Sequence, residues 1–269
     1  MMEEESQRLI EEYYENGNKK FNCNDYSGSL LEFNKVIELN PKDYIAYFNR
    51  SNAKGKLGDY QGALDDLTKA IEINPKYALA YYNRSNVKTQ LGDLNGAIDD
   101  YTRTMLGGTD DYTKAIAVDL DLIIGSFLNR GLCKFDLEQY ADAIDDYTQS
   151  IRLDPLLEIA FIYRANAKVQ LNDFRGAIED YSKAIEINSN NYDAFNNRGY
   201  IKFTLNQLPD ALSDYTKAIE IDPLKVLAYN NRANLKLSSG DIKGACEDWK
   251  KAAELGDEDT AELLKQHCE

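Results

Sequence analysis

The chain has 269 residues and a formal net charge of −15, from 31 Lys and Arg against 46 Asp and Glu, with only 16 Gly and 5 Pro. The length is awkward for one globular core, the Gly and Pro content excludes a disordered or collagen-like chain, and the acidity argues against duplex nucleic acid or an anionic membrane, where basic charge supplies most of the affinity. The four cysteines (Cys23, Cys133, Cys246, Cys268) form no C-x-x-C, the one histidine is His267, the start Met1-Met2-Glu3-Glu4-Glu5 is acidic where a signal peptide is basic, and no run approaches the roughly 18 apolar residues of a membrane span, so the expectation is a soluble cytoplasmic protein with reduced thiols and no membrane contact.

Self-comparison decides the fold. Residues 1–9 read as a polar N-terminal cap. Asn49-Arg50-Ser51 then returns as Asn83-Arg84-Ser85, 34 residues later, and the triplet recurs at 129–131, 163–165, 197–199 and 231–233. Every step is 34 except that from 83 to 129, which is longer by 12, so seven units fit: 10–43, 44–77, 78–123, 124–157, 158–191, 192–225 and 226–259. Each unit reads as two helices. In 44–77, a first helix from Tyr44 to Leu57 ends at Gly58, suited to the left-handed residue that closes a helix. Asp59 caps a second helix over about 60–73, whose stripe is Ala63, Leu67, Ala70 and Ile71, and Asn74-Pro75 ends it. Gly92-Asp93, Asn172-Asp173 and Gly240-Asp241 repeat the punctuation, with weaker versions at Glu138-Gln139 and Asn206-Gln207. The irregular stretch near 106–121 is a 12-residue insert in which Asp99-Asp100-Tyr101-Thr102 returns as Asp110-Asp111-Tyr112-Thr113. Gly107-Gly108 predicts a break, with Thr109 capping an extra helix over about 110–118 that can run on into the next first helix. Residues 260–269, with Ala261, Leu263 and Leu264 on one side, read as a C-terminal capping helix.

The pattern Tyr47, Ser51, Tyr60, Ala63, Leu67, Ala70, Pro75, repeated as Phe195, Gly199, Leu208, Ala211, Tyr215, Ala218, Pro223, resembles the tetratricopeptide repeat family over residues 10–259. The resemblance implies an all-α fold, a right-handed α-solenoid (superhelix) of antiparallel helix pairs, with first helices on the concave face. Physics agrees, because one helix pair cannot bury its apolar stripe alone while stacked pairs share a continuous core.

No catalytic constellation, phosphate loop or metal motif is present, so no catalytic residue, metal or cofactor is expected. Paired carboxylates such as Asp65-Asp66 and Asp99-Asp100 recur with the period and read as a solvated or ion-paired face, and Cys133 and Cys246 as core fillers. The candidate site is the concave face. Asn49 and Asn52, Asn83 and Asn86, and Asn231 and Asn234 lie three apart on one helix face, and Asn129, Asn166 and Asn197 continue the columns. An amide offers donor and acceptor together, so such a ladder can hold an extended peptide backbone without reading its sequence. The family resemblance agrees, since some members carry an asparagine ladder of this kind; inheritance of the triplet, whatever the repeats bind, stays open. Tyr14, Phe48 and Tyr82 would line the N-terminal half of the groove or pack between neighbouring first helices. They also stand where a two-carboxylate clamp of the family needs Lys, four residues before Asn18, Asn52 and Asn86, which argues against clamp-type binding of acidic tails.

First helices from the second unit onward carry 13 basic and 3 acidic side chains, +10 against −25 for the rest. Either the groove is basic, or the Arg and Lys columns pair internally with Asp66, Asp100, Asp146, Asp180, Asp214 and Asp248. The functional expectation is a non-enzymatic protein- or peptide-binding scaffold, monomeric rather than oligomeric, with an extended segment as ligand. The alternative is a self-associating assembly protein using the insert or the end repeats.

Overall fold

A computed structural model describes residues 2–107 and 120–268. Their elements in chain order are α1 (Met2–Asn22), α2 (Tyr26–Leu39), α3 (Tyr44–Lys56), α4 (Tyr60–Ile73), α5 (Ala78–Gln90), α6 (Leu94–Gly107), α7 (Leu120–Asp136), α8 (Tyr140–Leu153), α9 (Glu158–Gln170), α10 (Phe174–Ile187), α11 (Tyr192–Thr204), α12 (Leu208–Ile221), α13 (Val226–Ser238), α14 (Ile242–Glu254) and α15 (Thr260–His267). The fold is an all-α solenoid of antiparallel helix pairs. Two compact units divide the chain, Met1–Gln139 and Tyr140–Glu269, and within each unit every described helix packs on the next.

The turns inside each pair follow the sequence punctuation. Gly58, Gly92 and Gly240 have φ of 81°, 82° and 86°, and Asn24, Glu138, Asn172 and Asn206 take the same left-handed conformation. Asp59 then caps α4 by accepting from the Gly62 amide at 2.9 Å. Glycine three residues after the cap leaves the carboxylate room, because a Cβ on Gly62 would lie 2.1 Å from Asp59 Oδ2 and force that side chain to shift. The same Asp–Gly cap opens α2, α6, α10 and α14.

Between pairs, alanine lets the helices approach while tyrosine fills the gap beyond. Ala63, Ala97, Ala143, Ala177, Ala211 and Ala245 are fully buried, as are Tyr101, Tyr147, Tyr181, Tyr215 and Trp249 one turn further on. Each pair buries on the order of a few hundred Å² of apolar surface that it would otherwise leave wet, at about 25 cal/mol per Å².

α6 is described as far as Gly107, and the break expected at Gly107-Gly108 lies at the edge of the described residues. The extra helix expected over 110–118 and its Thr109 cap lie outside the described residues. α7 has 17 residues where the other first helices from α3 onward have 13, the extra ones being Leu120–Ile123 at its start. Residues 2–9 are continuous with the rest of α1. α15 packs on α14 and the structure joins Cys246 to Cys268 across a 22-residue separation. This corrects the expectation of four reduced thiols: Cys23 and Cys133 are free, but α15 folds back and brings the Cα of Cys268 to 5.8 Å from that of Cys246. Among the described residues no helix is long and apolar enough to cross a membrane.

Candidate functional site

The paired Arg and Lys columns of the first helices are spent inside the repeats. Arg50 grips Asp66 with Nε at 2.8 Å and Nη2 at 2.5 Å, and Lys54 Nζ reaches the same carboxylate at 2.9 Å. Arg84 and Lys88 hold Asp100, Arg164 and Lys168 hold Asp180, Arg198 and Lys202 hold Asp214, and Arg232 and Lys236 hold Asp248. The carboxylate is always 16 residues after the arginine. These aspartates are buried, between 1% and 4% exposed, which is tolerable because each carries two cations and a bidentate fork. The hydrogen bonds to Asp66 hold the Arg50 guanidinium above its ordinary pKa.

Each arginine also lies over the aromatic ring three residues before it, from Tyr47 below Arg50 at 5.4 Å to Tyr229 below Arg232 at 6.0 Å. Its remaining Nη1 donates to the second helix of the preceding repeat: Asn34, Thr68, Thr102, Thr148, Ser182 and Thr216 accept from Arg50, Arg84, Arg130, Arg164, Arg198 and Arg232. The first repeat has Asn16 in the arginine position, and there Lys20 and Lys35 neutralise the buried Glu32 at 2.6 and 3.0 Å. The reading of the cationic columns as internal pairs is therefore the one the structure shows.

In the first unit, α3, α5 and α7 wall a cavity of about 520 Å³. Asn52, Asn83, Asn86 and Asn129 line it, together with Thr89, Gln90 and Lys56; Phe21, Tyr60, Leu67, Val87, Tyr101 and Leu132 supply the apolar surface. Lys56 is the one charged side chain in this lining. The amides also steady one another. Asn83 Nδ2 donates to Asn52 Oδ1 at 2.8 Å, and Asn86 Oδ1 accepts from the Tyr101 hydroxyl at 2.6 Å and from Asn129 Nδ2 at 3.4 Å. Burial pushes the Tyr101 pKa up to about 12, so the phenol stays a donor. Asn49 is half-buried on α3 and outside the lining.

The three candidate aromatics sit elsewhere than in this lining. The Tyr14 hydroxyl donates to Asp43 Oδ1 at 2.7 Å, and that carboxylate also caps α3 through the amides of Ile45 and Ala46. Burial first, and Asp43 second, raise the Tyr14 pKa far above its ordinary value. Phe48 packs edge-on against Tyr77 at 5.1 Å. Tyr82 packs against Tyr101 at 5.9 Å, and its hydroxyl accepts from Asn129 Nδ2 at 3.3 Å. All three occupy the seams between neighbouring helices. The aromatics that do reach the cavity, Phe21, Tyr60 and Tyr101, come from helix ends and second helices that a reading of first-helix columns passes over. Lys56 and Gln90 were legible in principle, one turn after Asn52 and Asn86 on the same faces.

In the second unit the same columns are used differently. Asn166 Oδ1 accepts from the Tyr181 hydroxyl at 2.5 Å. Asn231 Nδ2 donates to Asn196 Oδ1 at 2.9 Å, and Asn196, 2% exposed, donates to Asn197 at 3.2 Å. Asn230 Nδ2 holds Asp257 at 2.6 Å, while Asn234 is exposed on α13.

Models of the tetratricopeptide repeat match residues 32–65, 124–155 and 192–223, and a TPR repeat model matches residues 52–92 and 165–205. Together the matches take in more than half of the chain. No curated protein matches it. Among solved structures, the C-terminal part of a TPR repeat-containing protein from Cytophaga hutchinsonii is similar with a TM-score of 0.74 at 18% identity, over 92% of this chain and 98% of that one. A tetratricopeptide repeat protein from Parabacteroides merdae is similar with a TM-score of 0.66 at 19% identity, over 97% and 100%. YrrB, described as a TPR protein with an unusual peptide-binding site, is similar with a TM-score of 0.60 at 26% identity, over 73% and 95%. The seven-fold period, the paired helices and these matches agree, and the chain belongs to the tetratricopeptide repeat family.

Proposed function

We propose that the chain is a non-enzymatic protein-interaction scaffold whose first unit holds an extended peptide segment in the cavity between α3, α5 and α7. The observation that carries this reading is the lining itself, four asparagine amides facing a space of about 520 Å³ beside Leu67, Val87 and Leu132. Amides suit the alternating N–H and C=O of an extended chain, and the apolar wall suits one of its side chains. Asn83 and Asn52 hold each other in place before any ligand arrives, which lowers the ordering cost of binding. The internal pairing of Arg50, Lys54, Arg84 and Lys88 removes four cations from the groove, so charge steering is left to Lys56. Similarity to YrrB, itself a peptide-binding TPR protein, supports the same use here.

The test is a screen of N-acetylated, C-amidated peptides against wild type and against Asn52→Ala/Asn83→Ala. The double variant is expected to bind selected peptides at least 10-fold more weakly, about 1.4 kcal/mol, with unchanged helicity by circular dichroism. Equal affinity in a folded double variant would remove the amides from the site.

A further inference from the structure

We infer that Cys246–Cys268 is a thiol–disulfide exchange site, and that its reduction by a dithiol releases α15 from the apolar face built on Trp249. Besides the disulfide, α15 is held by the buried Thr260 at its start, by one apolar contact and, through the turn before it, by the Asn230–Asp257 bond. It has 8 residues, too few for a helix to persist alone in water. Leu263, Leu264 and Cys268 pack against a cluster of Ala233, Ala245 and Trp249, and the His267 ring stacks on Trp249 with centroids 5.6 Å apart. The covalent bond to Cys246 ties the far end of the helix to α14. At the near end, Gly256 lies in the left-handed region with φ of 97°, a point where the chain can turn away without side-chain strain.

The face under α15 is suited to opening. Trp249 occupies in α14 the place that Tyr215 occupies in α12, is fully buried, and its indole N–H has no hydrogen-bond acceptor. Water would supply that acceptor once α15 moves off, so exposure is partly compensated. Of the two residues Cys268 is the more exposed, half-buried where Cys246 is buried. An incoming thiolate therefore attacks Cys268 Sγ. The S–S bond breaks, its electron pair leaves on Cys246 Sγ, and that sulfur takes a proton. The second thiol of the dithiol then attacks its own sulfur in the mixed disulfide and displaces the Cys268 thiolate, which is protonated. The protein gains two thiols and the dithiol departs as a disulfide.

Trp249 is the one tryptophan of the chain, so its emission reads this face alone. Titration with dithiothreitol is expected to raise the thiol count, measured on denatured aliquots, from the two of Cys23 and Cys133 to four. Trp249 emission should move to longer wavelength in step. Amide exchange over 260–267 should accelerate on the order of 100-fold, as expected for opening a cross-link of this loop length, while exchange in α9–α12 stays unchanged. Cys268→Ser should show the same emission and exchange without reductant. The inference is overturned if the thiol count stays at two, or if it reaches four while emission and exchange remain those of the oxidised protein.

Discussion

The asparagine columns run through both units, interrupted by Leu132 in the first and by Tyr163 and Tyr200 in the second, and the two units use them differently. In the first unit Asn52, Asn83, Asn86 and Asn129 line an open cavity. In the second, Asn166 is engaged by Tyr181, and Asn231 and Asn197 are bonded to a buried Asn196, which stands in the column of Phe48 and Tyr82. One influence on each amide is the residue 15 positions after it, on the second helix of the same repeat. Asn52 meets Leu67, which cannot bond it, so this amide turns to Asn83 and the groove. Asn86 and Asn166 meet Tyr101 and Tyr181, whose hydroxyls each claim an amide oxygen. In the sixth repeat the amide is replaced by Tyr200, 53% exposed, and the buried Tyr215 hydroxyl is left with no partner. A repeat position thus has no fixed role: its neighbour across the helix pair sets how firmly the amide is held, and Asn86 lines the cavity while its oxygen is bonded to Tyr101.

The ion triads provide the control for this comparison, since Asp66 in one unit and Asp180 in the other hold the same partners. Asp66→Ala and Asp180→Ala should each cost about 2–4 kcal/mol in urea denaturation, because each leaves two half-buried cations without their carboxylate. A cost at only one of the two positions would mean that the units differ in more than their amides. Tyr101→Phe and Tyr215→Phe should differ in their effect on stability. The first loses the bond to Asn86 and costs about 1 kcal/mol; the second removes an unsatisfied hydroxyl and is neutral or stabilising. Equal costs by the same measurement would break the account of the amide neighbours.

The smallest effect at neutral pH is the alkaline one, which both units share. Burial raises the Tyr101 and Tyr181 pKa values to about 12. Against about 10 in an unfolded chain, the folded state holds the phenol protons more tightly. Their contribution is present in full below pH 10 and is lost as pH rises from about 10 to 12. Absorbance of the phenolates near 295 nm, followed together with circular dichroism, should show these tyrosines ionising only as helices melt. Ionisation of every tyrosine near pH 10 in a fully helical protein would contradict the burial of these rings.

Much of this architecture is legible in the amino-acid sequence. The 34-residue period, the left-handed residues at Gly58, Gly92 and Asn172, and the Asp caps rest on local backbone chemistry, which a linear sequence displays. The Arg–Asp pairing is also within reach, because both columns keep the period. Tyr14, Phe48 and Tyr82 are harder, because a half-buried aromatic on a first helix looks the same from the sequence whether it turns toward the groove or the seam. What settles their direction is Asp43, Tyr77 and Tyr101, on turns and helices 19 to 29 residues away. The Cys246–Cys268 bond leaves no local trace, since it depends on α15 folding back over α14.

The reach of each arginine has a consequence for how the array comes apart. Arg84 is fastened to Asp100 in its own repeat and to Thr68 in the one before, and Arg198 is fastened likewise to Asp214 and Ser182. A repeat cannot melt without also releasing a side chain bound to its neighbour, so part of its stability belongs to the junction and not to the repeat. In a one-dimensional chain of such units, strong junctions lengthen the run of repeats that unfolds as one block. The arginine column is in that sense a setting for cooperativity: shortening it to Lys at a single repeat would localise fraying there and let the protein open in segments.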